Sequence, residues 1–77
     1  SPAEYEQQIE LEDIKFRVQT ALSNLNGRDQ EILELHYGVN REYAMATEDI
    51  AERMQLTTTR VNQIIKSATA QLREFVS

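Results

Sequence analysis

Thr58, Thr59, Asn62, Gln63 and Lys66 are the side chains of this sequence best suited to recognising another molecule. They follow one another at steps of one, three, one and three, a spacing that gathers them on one side of an α-helix. Glutamine can hold adenine through two hydrogen bonds, and threonine can bond a base edge or rest its methyl group on thymine. Lys66 and the nearby Arg60 can neutralise phosphates. Phosphate contacts set register and base contacts set sequence.

Nothing comparable is present for catalysis. The chain has no cysteine, a single histidine (His36), no glycine-rich phosphate loop and no nucleophile beside a base. Glu10, Glu12 and Asp13 could suggest a metal or a carboxylate pair, but no second ligand cluster accompanies them, so they read as a solvated acidic face. No enzyme, metal or cofactor is expected. His36 beside Tyr37 reads as a surface or packing residue. Tyr5, Phe16, Tyr37, Tyr43 and Phe75 read as core or helix-packing aromatics rather than base-stacking platforms.

The net charge of −5 argues at first sight against an anionic partner, yet it is unevenly spread. Residues 1–37 hold eight acids against three bases, and residues 38–77 hold five of each. Residues 57–73 carry Arg60, Lys66 and Arg73 and no acid. An anion should meet the last helix and avoid the first.

The elements that must position these groups follow from the apolar spacing. Seventy-seven residues make one small domain, residues 1–77, with a thin stability margin. Residues 1–3 read as a linker edge. Leu11, Ile14, Val18, Leu22 and Leu25 recur at helical steps, predicting one long helix with its acids in the first half, where the helix dipole favours them. Asn26-Gly27 breaks the pattern, and Asn26 is placed to cap a second helix that buries Ile32, Leu33 and Leu35 and stops at Gly38. Residues 39–46 have no period and read as a loop. Thr47 is expected to cap a third helix with Ile50, Ala51 and Met54 inward. After a turn at Gln55-Leu56, Thr57 caps a fourth helix running to about Phe75, with Val61, Ile64, Ile65, Ala68 and Leu72 on its inner face. The fold class is all-α: a four-helix-type small domain ending in a helix-turn-helix. Ala51 allows the close crossing and Leu56 plugs the corner. In that motif the start of the second helix enters the major groove. An ordinary solvated helix face would show the same polar stripe, and three-helix modules that bind proteins share the spacing.

Longer stretches carry a resemblance. Ala21-Leu22-Ser23-Asn24-Leu25, Arg28-Asp29, Ile32-Leu33-Glu34-Leu35 and Tyr37-Gly38 are followed by Thr47-Glu48-Asp49-Ile50-Ala51, Leu56-Thr57, Arg60-Val61, Gln63-Ile64 and Leu72-Arg73. Together they resemble region four of primary-type bacterial sigma factors over nearly the whole chain. The resemblance implies binding to the upstream (−35) element of double-stranded promoter DNA. It also implies docking on the flap of the RNA polymerase β subunit. Within it, Gln63 matches a base-reading position, Arg28 a phosphate-holding one, Arg60 a motif arginine and Thr57 the helix cap. Thr58 and Thr59 stand where primary sigma factors carry an arginine and a glutamate that read bases. Asn62 and His36 stand where arginine is usual, and Thr69 and Ala70 replace a leucine and a basic residue. Less positive charge implies weak binding by the isolated domain and a −35 preference of its own. The alternative expectation is a helical protein-interaction module that binds polymerase, an anti-sigma factor or an activator and touches DNA little. No stretch is long and apolar enough for a bilayer and no leader is visible, so the expected setting is the bacterial cytoplasm, with polymerase on the nucleoid and no membrane partner.

Overall fold

Apolar residues at Val61, Ile64 and Ala68 turn one side of a long helix into the spine on which the other elements pack. The computed structural model describes residues 1–76, and these form four helices and no strand. They are α1 (Pro2–Ser23), α2 (Gly27–Tyr37), α3 (Thr47–Met54) and α4 (Thr58–Val76). Two apolar clusters flank α4. One joins α2, α3 and α4 through Ile32, Leu35, Ile50, Ala51, Val61 and Ile64. The other joins α1, α2 and α4 through Leu22, Leu25, Leu33 and Ala68. Ile65, half-buried, touches both. The fold class and the inward faces of α2, α3 and α4 agree with the apolar spacing.

The helix ends have local causes. Asn26 caps α2, its Oδ1 accepting from the Asp29 N–H at 2.9 Å. Gly38 ends α2 in the left-handed conformation (φ 72°), and the following Val39 N–H reaches back to the Glu34 carbonyl at 3.0 Å. A Cβ on Gly38 would sit 3.1 Å from the Ala44 backbone nitrogen, so both the dihedral and the space call for glycine. The loop after it is tied down where the Met45 N–H donates to the Leu35 carbonyl at 2.8 Å.

Two expectations need correction, the cap of α3 and the burial of the aromatics. Thr47 does not cap α3: the N-cap is Ala46, which makes no side-chain cap bond, and Thr47 is already helical. The frame is set by Ile50, fully buried, whose N–H donates to the Ala46 carbonyl at 3.0 Å. At the start of α1, Pro2 is the first helical residue and Ser1 and Glu4 form a capping box. The five aromatics are not core: Tyr5, Phe16, Tyr37, Tyr43 and Phe75 are all exposed. Tyr37 alone among them ties helices together, its hydroxyl lying 3.2 Å from the Thr69 hydroxyl and its ring meeting His36 edge-on. The long first helix is formed as its spacing predicts, but Leu11 and Ile14, in register with Val18 and Leu22, are exposed where α1 runs beyond the elements it packs on.

Candidate nucleic-acid interface

The helix-turn-helix comprises α3, a three-residue corner and α4. Its corner is closed by Gln55, which adopts the left-handed conformation (φ 57°, ψ 43°) and donates its N–H to the Ala51 and Glu52 carbonyls. The Leu56 N–H also reaches the Ala51 carbonyl, at 2.9 Å. This doubled closure turns the chain within three residues and sets half-buried Leu56 against the α2–α3–α4 cluster. Ala51, nearly fully buried, leaves room for the two helices to approach.

Thr57 then starts α4. Its Oγ1 accepts from the Arg60 N–H at 3.1 Å and its carbonyl from the Val61 N–H at 3.0 Å, so the cap read from the sequence is formed. With Val61, Ile64 and Ala68 buried, the helical period turns Thr59, Asn62, Gln63 and Lys66 outward, and all four are exposed. Arg60 is exposed beside them, its Nη1 donating to Gln63 Oε1 at 3.5 Å, the outer limit of such a bond. Spacing had not revealed that contact, which leaves the Gln63 amide nitrogen pointing elsewhere. Thr58 departs from the expected outward set. It is half-buried, because three residues before Val61 it shares the rim of the buried side. Arg28 is held apart from the cluster, on the first turn of α2, where its Nε meets Asp29 Oδ1 at 3.3 Å.

Charge pairing separates the bases. Arg17 is paired with Asp13 at 3.1 Å, Arg28 with Asp29, and Arg53 on α3 with Glu31 on α2 at 3.7 Å. Among the described residues, Arg60 and Lys66 on α4 have no carboxylate within ion-pair distance, and neither have Lys15 on α1 and Arg41 in the loop after α2. The outer face of α4 is thus a strip of short polar groups with two uncompensated cations. It can donate and accept hydrogen bonds and attract an anion. Glu10, Glu12 and Asp13 lie on the exposed first half of α1, away from that strip along the chain. Among the described residues, no helix is long and apolar enough to cross a membrane.

Comparison with known proteins identifies the family of the chain. Over 68 residues the chain is 32% identical to the chloroplastic RNA polymerase sigma factor sigD of Arabidopsis thaliana. That alignment takes in 88% of this chain and 16% of the relative, so the chain spans a small part of that protein's length. No solved structure gives a significant match. The family model for sigma-70, region 4 matches residues 21–74, from the buried end of α1 through the helix-turn-helix to the last turns of α4. With its left-handed corner at Gln55, its capped second helix and that match, the chain belongs to the sigma-70 region 4 family, the DNA-binding domain of a sigma factor.

Proposed function

We propose that this domain reads the upstream (−35) element of promoter DNA within an RNA polymerase sigma factor and docks on the flap of the polymerase β subunit. The observation that carries the reading is the outward strip on α4, where Thr59, Asn62 and Gln63 stand exposed beside the unpaired cations Arg60 and Lys66. In this role Gln63 reads a base edge, with Thr58, Thr59 and Asn62 beside it. Arg60, Lys66, Thr57 and Arg28 fix register on the phosphates. Thr58 contributes from the rim of the strip, and Arg28 must exchange its Asp29 partner for a phosphate. Support for docking comes from an apolar groove of about 280 Å³ between α1, α2 and α4, lined by Val18, Leu22, Leu33, Val39 and Leu72.

Fluorescence anisotropy with a labelled promoter duplex tests this. Lys66→Ala should weaken all duplexes alike and reduce the salt slope by about one. Gln63→Ala should flatten the preference between wild-type and altered −35 sequences, about 1–3 kcal/mol at the base it reads. Unchanged binding by both variants would overturn the reading. A second reading is favoured by the −5 charge and the same groove: a module that binds polymerase, an anti-sigma factor or an activator and touches DNA little. It is distinguished by polymerase binding that survives both substitutions while duplex binding is negligible from the start.

A further inference from the structure

The first half of α1 has no role in the DNA-reading face or in the core. Residues 2–17 are exposed throughout, about 24 Å of helix at 1.5 Å per residue. The long axis of the molecule is accordingly 49 Å against 26 and 16 Å for the others. The radius of gyration is 14.6 Å, above the roughly 11.5 Å expected of a compact chain this long. The family match begins only at residue 21.

This overhang carries an apolar line facing away from the domain. Tyr5, Ile9 and Phe16 are 67%, 48% and 70% exposed. With Glu12 they recur at steps of four, three and four, the spacing of the inner positions of a two-stranded coiled coil. Ile9 lies nine residues from Val18, two and a half turns, so this line is on the opposite side from the stripe that packs on α4. One border is acidic, with Glu6 and Asp13 at equivalent flanking positions and Asp13 reaching Arg17 at 3.1 Å, while the other holds Gln8 and Lys15. Ser1 and Glu4 form a capping box at the first turn of α1. A solvated helix this short is otherwise marginal.

Charge decides the occupant. Parallel pairing with a second copy would stack Glu12 on Glu12, and antiparallel pairing would set Glu6 against Asp13; like charges so placed specify against self-association. A helix with an apolar heptad seam, a lysine or arginine opposite Glu12 and one basic flank facing Glu6 and Asp13 would satisfy both features at once. We infer that the outer face of α1, through Tyr5, Ile9, Glu12 and Phe16, is a docking seam for a basic amphipathic helix of a partner protein. The seam is independent of the DNA-reading face, and two heptads of contact make it a weak, exchangeable one.

The test uses the 77-residue chain and two synthetic three-heptad peptides. One has a leucine seam with a central lysine, lysines along one flank and glutamines along the other; the other is its twin with every lysine replaced by glutamate. In amide NMR titrations the lysine peptide should shift residues 5–16, and the glutamate twin should bind at least about tenfold more weakly. The double variant Ile9→Ser/Phe16→Ser should weaken the lysine peptide about tenfold. Its melting and duplex-DNA binding should be unchanged. Glu6→Lys/Glu12→Lys should reverse the peptide preference. Equal binding of the two peptides would overturn the inference, as would shifts centred on Leu33 and Leu72, indifference to the Ile9/Phe16 change, or dimerisation of the chain through α1 in sedimentation.

Discussion

The corner of the helix-turn-helix stores strain that one substitution should release. Gln55 holds φ 57° and ψ 43°, a conformation that brings the Cβ of an L-residue against its own backbone. The penalty is roughly 1–2 kcal/mol, and glycine does not incur it. Against this stands the greater freedom of glycine in the unfolded chain, about 0.4–1 kcal/mol. The side chain of Gln55 is exposed, so its loss removes little packing. Gln55→Gly should therefore stabilise the domain by about 0.5–1 kcal/mol. At roughly 4–8 °C per kcal/mol for a domain of this size, the melting temperature should rise by about 2–8 °C. Gln55→Ala keeps the Cβ and should leave the midpoint nearly unchanged. Thermal unfolding followed by circular dichroism at 222 nm, repeated in urea, measures both. A lower midpoint for the glycine variant would refute the reasoning, since the corner would then depend on the glutamine itself rather than tolerate it.

Three further outcomes follow from the helix ends. Ala46→Ser should supply the missing cap of α3 and add about 1 kcal/mol in urea unfolding, because Ala46 already has the extended backbone (φ −65°, ψ 148°) that a capping serine uses. Thr57→Ala removes the acceptor of the Arg60 N–H and should cost about 1 kcal/mol by the same measurement. Gly38→Ala combines a φ of 72° with a Cβ 3.1 Å from the Ala44 nitrogen and should cost about 1–2 kcal/mol, read as an earlier melting midpoint.

Helical periodicity made most of the candidate interface legible. Once Val61, Ile64 and Ala68 are inward, a 3.6-residue repeat leaves little choice for Asn62, Gln63 and Lys66. Caps are harder, because Thr47 and Ala46 are one residue apart and composition favours the threonine. The frame came from elsewhere in the chain: burial of Ile50 and the bond from Met45 to Leu35 start the helix one residue earlier. The left-handed corner was equally hidden, since glutamine carries no signal for positive φ. Leu11 and Ile14 show the limit of an apolar stripe. Their spacing matches that of Val18 and Leu22, but spacing says nothing about where the opposing helices run out. The exposed aromatics follow from the same limit, Tyr5 and Phe16 lying on the overhang and Tyr43 in the loop before α3.

Where a duplex touches the domain is the point on which the account turns. An amide NMR titration of the chain with a −35 promoter duplex locates that contact without presupposing its strength. The largest shifts should fall on Thr57, Thr59, Arg60, Gln63 and Lys66 and fade as salt is raised. Shifts confined to α1 or to the groove at Leu33 and Leu72, with the start of α4 silent, would contradict it.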